Sequence, residues 1–107
     1  MNYQPNDIAY MWHPQVNHNS TGLLGSIVKV RIMEKTEDGY LVVILLAGRP
    51  TVIIAKGEVC AVTEDELFAT TDALMISMQE QYQEYLAEQV QNLIKYKDRE
   101  YDPGRVS

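Results

Sequence analysis

Hydrophobic and polar positions change their period once along this chain of 107 residues, near Thr63. Before that point the apolar positions recur every second residue or fill short runs. Asp7–Trp12 sets Ile8, Tyr10 and Trp12 on one side of an extended segment and Ala9 and Met11 on the other. The stretch His13–Gly22 is polar, carries Pro14 and Gly22, and has no period, so it reads as a loop. Ile27–Lys35 alternates: Val28, Val30 and Ile32 face one way, and Lys29, Arg31 and Met33 the other, the pattern of a half-buried strand. Thr36–Gly39 is a hairpin turn, with Gly39 free to take a positive φ. Tyr40–Leu46 is apolar at nearly every position and predicts a strand buried on both faces. Gly48-Arg49-Pro50 turns the chain into a strand over Thr51–Ala55, and Lys56-Gly57-Glu58 turns it again into Val59–Val62.

After Thr63 the apolar spacing becomes three, four and seven: Phe68, Met75, Met78, Tyr82, Leu86, Val90, Leu93 and Tyr96. This is the stripe of an amphipathic helix. Thr63-Glu64-Asp65-Glu66 reads as a capping box at its start. Lys95, Lys97 and Arg99 complement its negative end, and Pro103-Gly104 stop it. Thr70-Thr71-Asp72 is the one weak spot where it could divide. An unbroken helix here would be about 50 Å long, about twice the width of a domain built from the first sixty residues. Its far half would then bury its stripe on a second chain. The expectation is a homodimer through Tyr82, Leu86, Val90, Leu93 and Tyr96, with a monomer kinked near Thr71 as the alternative.

Five short strands in sequence, a long polar first connection and tight later turns resemble the SH3-like small barrels, a class that includes tudor and Sm-type modules. The resemblance covers residues 7–62 and lies in element order. It implies a five-stranded SH3-like barrel over 1–62; with the long acidic amphipathic helix read from the spacing over 63–98 and a flexible tail over 99–107, the expected fold is α+β. Peptide-binding members of the class grip proline-rich ligands with an acidic, aromatic first loop. The equivalent loop here, Pro14–Leu24, holds no acid and no aromatic residue, so that activity is not expected.

Composition sharpens this picture in two places. Cys60 is the only cysteine, so no disulfide scaffold is available and a reducing cytoplasm is the expected compartment. The first residues show no secretion signal, and the longest apolar run, Leu41–Ala47, is too short to span a bilayer. The net charge of −6 is unevenly placed. Residues 1–62 balance, whereas Glu64, Asp65, Glu66, Asp72, Glu80, Glu84 and Glu88 have no lysine or arginine among them. The first three suit a helix start. Glu80, Glu84 and Glu88, at i, i+4 and i+8, make an acidic row that folding does not require. Such a row serves solubility or meets a basic protein surface.

Candidate chemistry is sparse. His13 and His18 share one loop, and a metal site would need further ligands such as Asp7 or Glu58, which no spacing specifies. Cys60 lies in an apolar strand context, the setting of an inert thiol. Gly22-Leu23-Leu24-Gly25 lacks the basic neighbours of a nucleic-acid clamp and reads as a turn. No cofactor, metal or catalytic motif is expected. Lys29, Arg31, Lys35 and Arg49 are the candidate basic patch for nucleic acid, but the acidic helix opposes it, and protein binding ranks above it. Small size, acidity and an absence of motifs resemble accessory proteins of bacteriophages and mobile elements, including anti-CRISPR and anti-restriction inhibitors. That resemblance implies a non-enzymatic module that occupies a basic host protein such as a nuclease. A homo-oligomeric assembly subunit is the alternative.

Overall fold

In the computed structural model, residues 2–14, 25–49 and 56–102 are described. The chain is α+β, with four antiparallel strands in sequential order: β1 (Ile8–Pro14), β2 (Gly25–Lys35), β3 (Tyr40–Ala47) and β4 (Val59–Val62). The expected fifth strand, over 51–55, lies outside the described residues, as do His18 and most of the first loop. Among the described residues the sheet is open rather than a closed barrel: β1 and β4 are its two ends. The outer edge of β1 is met by Phe68, whose amide and carbonyl both bond the backbone of Tyr10 at 2.8 Å.

Both faces of the sheet carry a core, as the continuous apolar run of β3 requires. On one face Ala9, Met11, Val28, Val30, Ile32, Val42 and Ile44 pack together under Tyr3, Tyr40 and Leu67. The rings of Tyr3 and Tyr40 meet edge to face, with centroids 5.6 Å apart. On the other face Ile27 and Leu46 pack against the helical segment. Register shifts near Val30 and between Ile32 and Glu34 mark bulges, which bend the strands and increase local twist. The Thr36–Gly39 turn closes with a bond from the Thr36 amide to the Gly39 carbonyl, 2.8 Å. Gly39 does not take the expected positive φ. It is glycine for a different reason: a Cβ there would overlap the Val62 carbonyl oxygen, where β4 passes.

The expected single helix is broken. A 3-10 turn at Glu64–Glu66 leads through extended backbone to α1 (Thr71–Ser77), a second 3-10 turn (Glu80–Tyr82), α2 (Gln83–Lys95) and a third at Lys97–Arg99. The expected cap at Thr63 does not form: its hydroxyl bonds the Asp65 and Glu66 carboxylates instead of an amide. Thr70 is the cap that forms, accepting from the Ala73 amide at 3.1 Å, so the weak spot at Thr70–Asp72 is a helix start. The second break, at extended Met78 and Gln79, has a local cause. The Ser77 hydroxyl donates to the Leu74 carbonyl at 2.6 Å, and the Gln83 amide to the Met75 carbonyl at 2.8 Å. These side chains satisfy carbonyls that a continuing helix would otherwise use. The break folds α2 back over its own sheet, which removes the geometric reason for a second chain. No helix among the described residues is long and apolar enough to cross a membrane.

Candidate interaction surfaces

The inward side of α2 is fixed by both apolar and polar contacts. Leu86 and Leu93 are buried, and Tyr82, Val90 and Tyr96 are half-buried in the same cluster, with Ile27, Leu46 and Leu74. These are the residues expected at a dimer interface; they are packed within one chain. Burying a leucine contributes roughly 1.5–3 kcal/mol, so the seam stabilises the fold itself. Gln89, on the same side and 2% exposed, accepts the Ile27 amide proton at 2.7 Å. Asn92 donates to the Gly48 carbonyl at 2.9 Å. Helix and strand end approach so closely that a Cβ on Gly48 would lie 2.8 Å from the Gln89 carbonyl oxygen.

The outward side carries the acids. Glu84 and Glu88 stand exposed one turn apart on α2, while Glu80 is exposed in the preceding 3-10 turn. The three therefore do not form one regular helical row, but all lie on the same stretch of chain and reach solvent. Ile94 is exposed on the same helix and Ile76 on α1.

The four basic residues stand in different settings. The Lys29 ammonium is paired with Glu100 at 2.5 Å. Arg49 lies at the helix-covered end, with its guanidinium 5.7 Å from the Tyr85 ring and its amide bonded to the Ser26 hydroxyl. Lys35 is exposed at the end of β2. Arg31 sits between Ile8 and Val43 in the ladder, and its Nε is buried with no hydrogen-bond partner among the described residues.

The first residues of the expected tail, and Glu100 among them, bond the sheet side of the chain. The Tyr101 amide donates to the Leu45 carbonyl at 2.8 Å, Glu100 holds Lys29, and Lys56 donates to the Arg99 carbonyl at 2.6 Å. Residues 103–107 lie outside the described residues.

The remaining chemical candidates are scattered. His13, half-buried at the end of β1, has a buried Nδ1 with no partner among the described residues. Cys60 is half-buried in β4, and burial, followed by the Glu58 charge, pushes its thiol pKa up, away from the thiolate form that reacts. Burial, with Glu64 second, likewise raises the Tyr3 phenol. Among the described residues no three His, Cys, Asp or Glu side chains are grouped as a metal site would need. A cavity of about 650 Å³ is lined by Tyr3, Leu67 and Phe68 beside Asp38, Glu64 and Asp65.

No protein-family model, curated protein or solved structure matches the chain.

Proposed function

We propose that the protein is a non-enzymatic interaction module whose acidic helical surface occupies a basic surface on another protein. The observation that carries this reading is the orientation of α2. Its apolar side, with Gln89 and Asn92, is engaged by its own sheet, so what it offers outward is Glu84 and Glu88, joined by Glu80. An acidic face of this kind speeds encounter with a cationic partner and discriminates against anionic ones. A basic nuclease of a host cell, met in the cytoplasm by an accessory protein of anti-CRISPR or anti-restriction type, has the required charge. The strand order and long first connection support an SH3-like reading of the sheet, which would then serve as the platform for the helix.

The test is charge reversal. Affinity capture with mass spectrometry, comparing the parent with the triple variant Glu80→Lys/Glu84→Lys/Glu88→Lys, should lose a defined set of basic proteins. The circular-dichroism melt should remain within a few degrees, since all three side chains are exposed. If the triple variant retains that set, the acids serve solubility alone.

A further inference from the structure

One cross-strand row runs over the whole sheet on the side that α2 covers only in part. Ile8 pairs with Arg31, Arg31 with Val43, and Val43 with Val59. Residues directly opposite on an antiparallel ladder point to the same face. The row is therefore one guanidinium in an aliphatic line across all four strands. The helical cluster takes Ile27 and Leu46 from this face, further along the sheet, and contains none of Ile8, Val43 and Val59.

Within the row Val43 is buried and Arg31 half-buried, while Ile8 and Val59 reach solvent beside other exposed apolar side chains. Six large hydrophobic residues are exposed among the described residues, and four of them are here: Ile8 (36%), Met33 (46%), Val59 (49%) and Tyr101 (41%). Arg31, Met33, Val43, Val59 and Tyr101 line a groove of about 510 Å³ in which Arg31 is the only charged residue among the described ones. Arg31 also lines a smaller neighbouring cavity, of about 290 Å³, together with Asp98, Glu100, Asp102 and Lys97. The contrast with the previous outward cation on the same strand is instructive. Lys29 has its carboxylate within the chain, from Glu100; Arg31 has none at its Nε. A partly desolvated guanidinium in an apolar groove favours a carboxylate, which its planar fork can bind with two parallel hydrogen bonds.

We propose that this groove binds a protein segment that sets an aspartate or glutamate side chain against Arg31, with aliphatic side chains on both sides over Ile8, Met33 and Val59. A second copy of the chain is the poorer occupant. A two-fold interface repeats the same patch on both sides, and a patch centred on Arg31 would bring two guanidiniums together. The groove is separate from the acidic helical face and selects the opposite charge, so the two surfaces would bind different segments.

The experiment is selection of a random twelve-residue peptide library on the immobilised full chain. The expected consensus is an acidic residue flanked by aliphatic ones. A synthetic peptide of that consensus should bind, and its amide counterpart, with Gln or Asn in place of the acid, should bind at least about tenfold more weakly, the size of a lost charge-assisted hydrogen bond. Arg31→Met should weaken binding by a similar factor, with Arg31→Lys intermediate, and Val59→Glu, at an exposed position, should abolish it. The Glu80/Glu84/Glu88 charge-reversed variant should bind the peptide as the parent does, which separates this groove from the acidic surface. No enrichment, a consensus lacking an acid, or binding unchanged by both Arg31→Met and Val59→Glu overturns the proposal. So does binding lost in the charge-reversed helix variant.

Discussion

The side-chain oxygen of Gln89, a residue 2% exposed to solvent, accepts the backbone proton of Ile27, 62 positions away, at 2.7 Å. The bond does for the start of β2 what a neighbouring strand would do, and it fixes the rotation of α2 about its axis. Replacing Gln89 by Leu keeps an apolar volume of similar size but leaves the Ile27 amide without its partner. The expected cost is about 1–3 kcal/mol, read as a lower urea midpoint at unchanged slope.

Leu86, fully buried in its own chain, decides between intramolecular packing and a helical dimer seam. Leu86→Ala should cost about 2–5 kcal/mol. The melting temperatures of parent and variant should both be independent of protein concentration across a hundredfold dilution. A seam shared between two chains predicts instead a melting temperature that rises with concentration, and that result would reject the assignment of Leu86 and Leu93 to the core.

Cys60 carries a pH prediction with a definite sign. Its thiol pKa is raised in the folded state, chiefly by burial and then by Glu58. The folded chain thus holds this proton more tightly than the unfolded one. The contribution is fully present below the unfolded thiol's pKa and is lost as pH rises through the folded value. Alkylation of the native protein by iodoacetamide near neutral pH should be slower than in urea, and stability should decline on the alkaline side. Cys60→Ala should remove that part of the alkaline decline. Native alkylation as fast as in urea would place the thiol in a more activating setting.

Much of the sheet could be read from residue order because alternation reports burial directly. Val28, Val30 and Ile32 do face one core, and the unbroken apolar run of β3 does lie between two. The helix was harder to read. Its stripe correctly marks what α2 buries, but nothing in a periodic count shows that Ser77 and Gln83 would bond the carbonyls of the previous turn and end α1. Without that break the same stripe reads as one rod of about 50 Å, which the two helices α1 and α2 replace. Gln89 left a signal that spacing alone does not interpret: it stands three residues after Leu86 and four before Leu93, a polar residue on the apolar side. Arg31 left less. Its place in an aliphatic row depends on registers across three strand pairs, one of them carrying two register shifts, and alternation within one strand does not give register.

The pairing of Phe68 with Tyr10 also bears on how the chain reaches this state. Tyr10 on the first strand gains its outer partner only when a residue far along the chain arrives, and Lys29 and Ile27 wait for Glu100 and Gln89 in the same way. Closures spanning so many residues carry a large loop-entropy cost before any contact rewards them, and they slow folding relative to a chain of local contacts. On a ribosome, the early strands would emerge well before the segment that covers them. The interval between synthesis of β1 and arrival of α2 is therefore the period when this protein is most exposed to aggregation or to capture by a chaperone.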